Sequence, residues 1–289
     1  MPLPALLKDS QCPVRRFGLP TGPEPDTVFL HGVLCSTAMW KRVAIAEPER
    51  RSIALPLPGH YPWRMTPGET ARALDEFAFL EAYRDAILKS AQTPVQIVAH
   101  STGALVALKF AATFPDMVKR LVLAGAFANG RSAVGQSSMA LVVLLPMIGS
   151  SLFDGLWRYW LYSPDTFLRG LSTAKAASAK AAGKGHTGRE ADMLRDLRRS
   201  HPESLRRVVD WLSRTSVEDD LSAVEAPVTV LVSQHDPIVG AQSQLKLATS
   251  LPNATAVVCR SGHLPMLEQP DLVRRVVFRS AQHNFTRAA

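Results

Sequence analysis

With 289 residues, 46% of them hydrophobic, and a formal charge of +8, the chain is long enough to bury one large core, and its composition excludes a disordered or low-complexity protein. The three cysteines, Cys12, Cys35 and Cys259, are odd in number and widely spread, a pattern that does not suggest a disulfide framework and fits a reducing compartment. Met1 to Asp9 carries no basic leader followed by a continuous apolar stretch, so no signal peptide is expected and the expected location is the cytoplasm.

In chain order, Pro20 to Pro25 reads as a turn-rich connection between early strands. Thr27 to Leu30 and Ser52 to Leu55 are short apolar strand candidates, and Pro94 to Ala99 is a third that runs almost directly into a helix over Thr102 to Phe114. Val118 to Ala124 follows as a strand. Regular alternation then stops near Phe127 and resumes near Asp220, leaving roughly ninety residues that cannot be one loop in a compact domain. Pro227 to Val232 and Thr255 to Cys259 complete the strand candidates. The alternation predicts an α/β fold, a mostly parallel central sheet with helices on both faces. Residues 1–126 and 217–289 are expected to form its core and 127–216 an inserted helical cap.

Within the insertion, Met139 to Phe153 is the longest apolar stretch, but it is too short for a membrane span and is interrupted by Pro146 and Gly149. Ser172 to Lys184, rich in alanine, lysine and glycine, has little apolar surface to anchor it, and a mobile segment is expected there. Ser200-His201-Pro202-Glu203 has the spacing of a capping box, and Leu205, Val208, Val209 and Leu212 then form one apolar stripe of a helix.

Three segments carry chemistry. Ser101, in Ala99-His100-Ser101-Thr102-Gly103, falls at the strand-to-helix turn, where the following helix begins with free backbone N–H groups suited to an anion. A serine hydroxyl is a weak nucleophile at neutral pH and needs a base, and that base needs a partner to set its tautomer. His263, after Thr255 to Cys259, and Asp236, after Pro227 to Val232, stand just past two strand candidates and so on the sheet edge expected for Ser101. The loop His31-Gly32-Val33 after the first strand candidate offers an oxyanion donor, expected to be the Val33 N–H beside that of Thr102.

These motifs resemble those of the α/β-hydrolase superfamily, in the group of esterase-like serine hydrolases with a helical cap. The resemblance covers most of the chain: His31-Gly32, Pro58-Gly59-His60, the serine turn, Asp236-Pro237-Ile238-Val239, and Gly262-His263-Leu264-Pro265 with Glu268 and Pro270. It implies Ser101 as nucleophile, His263 as general base and acid, Asp236 as orienting carboxylate, and Val33 and Thr102 as oxyanion donors. Three positions depart from the pattern, with Ala99 and Ser233 where glycine is usual and Leu55-Pro56-Leu57 without an aspartate, and none removes a catalytic group.

The expected substrate contacts are His31, Gly32, Leu34 and His100 beside the two turns, and Trp157 and Trp160 in the insertion; bracing of the turns is an equal alternative for the histidines, as core packing is for the tryptophans. Cys35 reads as a buried or wall position. No metal-ligand spacing is present, and no metal or cofactor is expected. The insertion holds 13 Lys and Arg against 7 Asp and Glu over residues 127–215, a net +6. That charge admits an acidic carrier protein as partner, against the alternative of solvated faces such as Arg195, Arg198 and Arg199. Nucleic acid is not expected, since no recognition motif accompanies the charge. The expected activity is hydrolysis of a carboxylic ester with a hydrophobic part. A thioesterase or acyltransferase, a carbon–carbon bond hydrolase, or a ligand receptor on the same scaffold are the alternatives.

Overall fold

The computed structural model describes residues 11–18, 26–47, 49–135, 141–142, 145, 148–177 and 188–278. Its centre is a seven-stranded sheet in the order β1-β3-β2-β4-β5-β6-β7. The strands are β1 (Arg15–Phe17), β2 (Thr27–Leu30), β3 (Ser52–Leu55), β4 (Val95–His100), β5 (Val118–Ala124), β6 (Val228–Ser233) and β7 (Ala254–Cys259). All neighbours run parallel except β1, which pairs antiparallel with β3 at the edge.

The parallel strands follow from apolar, β-branched runs. Successive side chains point to opposite faces, yet every residue of β2 and β3 is buried, so both faces of the sheet are covered by other structure. Strand boundaries agree with the sequence to within a residue. β1 is an addition that the sequence reading lacked. The turn reading of Pro20 to Pro25 lies outside the described residues.

Strand order places the site. From β2 the chain moves to β3 on one side, then crosses back to β4 on the other, so the loops leaving β2 and β4 diverge and open a crevice at their carboxyl ends. The Thr102–Thr113 helix starts directly after β4 and is buried on nearly all sides, a central element between the sheet and the Glu218–Ala223 turn, to which Lys109 is tied through Asp220 at 2.7 Å.

Between β5 and β6 the described chain is helical: Gly130–Val134, Gly149–Trp160, Pro164–Thr173, Gly188–Arg198 and Pro202–Leu212. Lys41 binds Asp192 at 2.9 Å and Arg15 binds Asp196 at 2.8 Å, tying this insertion to the core. The last helix begins where expected and buries Leu205, Val208, Val209 and Leu212, but the capping box is not formed. His201 is the N-cap residue. The Ser200 hydroxyl instead accepts the Tyr61 N–H at 2.9 Å, while Glu203 pairs with Arg206 and Arg207. A tertiary donor has taken the hydroxyl that the local pattern reserved for the helix. Part of Met139 to Phe153 and residues 178–184 of the expected mobile segment lie outside the described residues. Among the described residues, no helix is long and apolar enough to cross a membrane.

Candidate active site

Ser101 joins β4 to its helix with φ 54° and ψ −121°, a left-handed conformation rare for a residue with a Cβ. It persists because neighbours over-determine it: the Ser101 N–H bonds the Ala124 carbonyl of β5 at 2.9 Å, and its own carbonyl accepts from Ala104 at 2.8 Å. Gly103 must be glycine here, since a Cβ would stand 2.6 Å from the His31 carbonyl oxygen. Ala99 is fully buried.

The carboxyl ends of β4, β6 and β7 bring three side chains into one hydrogen-bonded line. His263 Nε2 lies 3.0 Å from Ser101 Oγ, and its Nδ1 lies 2.8 Å from Asp236 Oδ2. A carboxylate can only accept, so Nδ1 carries the proton and the bare Nε2 accepts from the serine hydroxyl. Asp236 is buried, and the donors a buried carboxylate needs are present: Ile238 and Val239 N–H on Oδ1, each at 2.8 Å, and Gln244 Nε2 on Oδ2 at 3.1 Å.

Two residues of this arrangement were not singled out in the sequence. Gln244 is wholly buried and also accepts the Ser233 N–H at 3.1 Å, so one amide fixes both the end of β6 and the carboxylate. Gly125, at the end of β5, has φ 55°, and a Cβ there would stand 2.9 Å from both His263 Nδ1 and Cε1. Only a residue without a side chain lets the imidazole lie across the end of that strand. A glycine just past a predicted strand on the active edge was the available signal. Ser233, the unusual residue before the acid loop, bonds Ser261 Oγ at 3.0 Å and so links the strand ends that carry Asp236 and His263.

The β2 loop abuts the serine: a Cβ on Gly32 would lie 2.9 Å from Ser101 Cβ. Thr102 is the first helical residue, where the N–H has no intrahelical acceptor, and among the described residues no protein acceptor is found for the Val33 N–H. Leu34 is half-buried with φ 59°, which sharpens this loop. Cys35 is buried, and burial pushes its thiol up to about 12, far from a reactive thiolate.

The histidines beside the site are braces. His31 Nδ1 donates to the Gly32 carbonyl at 2.8 Å and Nε2 accepts the Leu57 N–H at 3.2 Å. His100 Nε2 donates to the His263 carbonyl at 2.8 Å. His60 is also buried, with its ring 5.0 Å from that of His31. Burial, against the opposing bond to Gly32, lowers His31 to about 4. Burial likewise lowers His60 and His100, with a nearby histidine adding to each. Trp157 and Trp160 pack together with Phe153 and Phe167 inside the insertion, and the Trp160 indole donates to the Phe167 carbonyl at 3.0 Å.

Acid should therefore loosen the fold through these rings. The unfolded chain titrates near 6.5 and the folded His31 near 4, so the unfolded state binds more protons between those values and stability falls as pH is lowered through that window. His31 alone should cost about 2 kcal/mol between pH ~7 and pH ~5. Urea midpoints across that range check it, and a flat profile would contradict the neutral, buried rings.

The expected mobility of Ser172 to Lys184 does not extend to its described part. Ala176 is buried, and the Ala174 carbonyl accepts the His263 N–H at 2.7 Å. Polar backbone contacts anchor a segment that has little apolar surface. Among the described residues, no group of three His, Cys, Asp or Glu side chains is arranged to hold a metal ion.

A family model described as the alpha/beta hydrolase family matches residues 27–276. A curated relative from Aromatoleum aromaticum, a pimeloyl-[acyl-carrier protein] methyl ester esterase, is 28% identical over 86% of this chain and 94% of its own. Among solved structures, a thermophilic esterase from Thermogutta terrifontis aligns with a TM-score of 0.64 at 21% identity over 92% of this chain and 90% of its own. A bromoperoxidase from Bacillus anthracis aligns at 0.70 with 17% identity over 91% and 92%. Likenesses this distant speak for the fold alone.

Proposed function

The chain belongs to the α/β-hydrolase family, and on that premise we propose that it is a serine esterase that cleaves a carboxylic ester of a hydrophobic small molecule through an acyl-enzyme on Ser101. The observation that carries this reading is the unbroken line from Ser101 Oγ through His263 to Asp236, with bonds of 3.0 and 2.8 Å. His263 Nε2 takes the hydroxyl proton as Oγ attacks the ester carbonyl, and the tetrahedral oxyanion accepts the Val33 and Thr102 N–H groups. The C–O bond then breaks, His263 returns the proton to the leaving alcohol, and the acyl group stays on Ser101. Water, deprotonated by His263, attacks that acyl carbon; Ser101 leaves with the proton and the acid is released. Asp236 remains ionised and steadies the imidazolium at each transfer.

The segment over residues 127–216 acts as a cap in this reading. Its apolar residues, with Trp157, Trp160 and Leu34, are proposed to shape the hydrophobic side of the pocket. Gly32 leaves room for the carbonyl beside the oxyanion donors, and His31 and His100 act by holding the two turns.

A second reading is favoured by the insertion's net +6, from 13 basic and 7 acidic residues, and by a relative whose name specifies a carrier-bound methyl ester. On it, the cap arginines meet an acidic carrier protein while the same Ser101 chemistry proceeds. The test is turnover of aryl esters of rising acyl length, of a free methyl ester, and of that methyl ester on acyl carrier protein, at low and high salt. Preference for free apolar esters with little salt dependence supports the first reading. A preference of about 100-fold for the carrier-bound ester, lost as salt screens the charges, supports the second. Absence of ester turnover with Ser101 still labelled by a fluorophosphonate points to a thioester or a carbon–carbon bond. Absence of both turnover and labelling sinks the enzyme reading in favour of a ligand receptor.

A further inference from the structure

The loop that carries His263 is held from outside itself, and the holder reaches into the inserted segment. Glu268, in the short Pro265–Glu268 helical turn, turns its carboxylate back onto the Gly262 N–H, with Oε1 at 3.1 Å and Oε2 at 3.0 Å. The same Oε2 accepts the Ala176 N–H at 2.9 Å. One carboxylate thus bridges two amides, from the residue before the histidine and from a segment 92 positions away.

The two strands of chain are also in direct backbone contact. The His263 N–H donates to the Ala174 carbonyl at 2.7 Å. A Cβ on Gly262 would stand 2.6 Å from both the Ala174 oxygen and the Lys175 carbonyl carbon, so the close approach itself requires glycine. On the opposite side, the His263 carbonyl accepts from His100. The backbone of His263 is therefore pinned at its N–H by the insertion and at its carbonyl by the residue before Ser101.

We propose that Glu268 is a positioning residue that clamps the Ala174–Ala176 segment of the insertion to the His263 loop, so that docking of this segment and alignment of His263 with Ser101 are one event. The proposal rests on the catalytic reading of Ser101 and His263. A residue serving only loop stability would need the Gly262 amide alone. The bridging Ala176 amide, and the missing room at Gly262, are what couple the insertion to the chemistry. Because the clamp acts on the base and not on the bound substrate, its loss should appear in kcat while KM is largely spared.

The test compares Glu268→Ala with Glu268→Gln. The alanine variant is expected to lower kcat at least about tenfold, with KM changed less than about twofold, because a small displacement of the base is costly to proton transfer. Fluorophosphonate labelling of Ser101 should slow by a similar factor. Glutamine keeps one oxygen able to accept both amides, and should recover kcat to within about threefold of the unmodified protein. Hydrogen exchange read by mass spectrometry should show peptides over residues 174–177 and 260–264 losing protection together in Glu268→Ala. Should that variant not fold, Gly262→Ala, which wedges the same contact apart with Glu268 intact, is expected to give the same coupled loss. Unchanged kcat in Glu268→Ala, or faster exchange in one peptide without the other, overturns the clamp. The exchange experiment needs no substrate, so a protein that neither hydrolyses esters nor takes the probe would defeat the catalytic reading while the coupling was still decided.

Discussion

Replacement of Ser101 by alanine is expected to abolish ester hydrolysis, with kcat falling on the order of 10⁴ to 10⁶-fold and the fluorophosphonate adduct disappearing from the intact mass. The size of the loss follows from the site's construction: without Oγ, His263 has no proton to accept, and only the Val33 and Thr102 amides remain to polarise a carbonyl for attack by water. Folding should be untouched. The Ser101 hydroxyl bonds His263, and the backbone bonds that hold the turn to Ala124 and Ala104 are indifferent to its removal. Alanine also keeps a Cβ at φ 54°, so the strain of the turn is conserved and the melting temperature should stay within a few degrees, as expected for a change of less than ~1 kcal/mol. Ser101→Gly separates strain from chemistry, since it should be equally inactive yet more stable by roughly 1 kcal/mol once the left-handed conformation costs nothing. Retention of more than a tenth of the activity in Ser101→Ala, in protein free of contaminating esterase, would move the nucleophile elsewhere.

The parts of this arrangement that were legible in the sequence are those in which local pattern and tertiary role coincide. A parallel strand covered on both faces carries a near-continuous apolar run, so Val28-Phe29-Leu30 of β2, Ile53-Ala54-Leu55 of β3 and Leu121-Val122-Leu123-Ala124 of β5 stand out, and their ends place the loops of the site. β1 was hidden because Arg15–Phe17 is three residues long, pairs antiparallel at the edge, and carries an arginine whose partner, Asp196, lies 181 positions away. The Ser200 capping pattern misled for the same reason in reverse, since the Tyr61 amide competes for the hydroxyl and nothing local announces it. Low apolar content made Ser172 to Lys184 look loose, but the anchors at Ala174 and Ala176 are backbone groups, which composition does not register. Gln244 is likewise invisible to pattern: its three hydrogen bonds arise only when the helix after β6 folds back over the acid loop.

Gly125 carries the second large prediction. Alanine at this position meets two obstacles at once, a backbone at φ 55° and a Cβ directed 2.9 Å from His263 Nδ1 and Cε1. The conformational term is roughly 1 to 2 kcal/mol. The ring cannot absorb the intrusion by sliding toward Asp236, whose Oδ2 already sits 2.8 Å from Nδ1, so it must tilt away from the end of β5. That tilt lengthens the Nε2 to Ser101 bond. A displacement approaching 1 Å is worth about 100-fold in rate, so Gly125→Ala should lose at least about that factor in kcat while folding at a melting temperature several degrees lower. The active-site geometry makes a sharper claim than destabilisation. Phosphonylation of Ser101, which needs the same base, should fall in parallel with hydrolysis, whereas binding of an inert substrate analogue to the pocket should be preserved. Gly125→Ser should behave like alanine or worse, because its added hydroxyl faces the same crowded ring. A Gly125→Ala protein that melts lower but turns over normally would mean that His263 can work from a different seat, and that the strand end is not what fixes it.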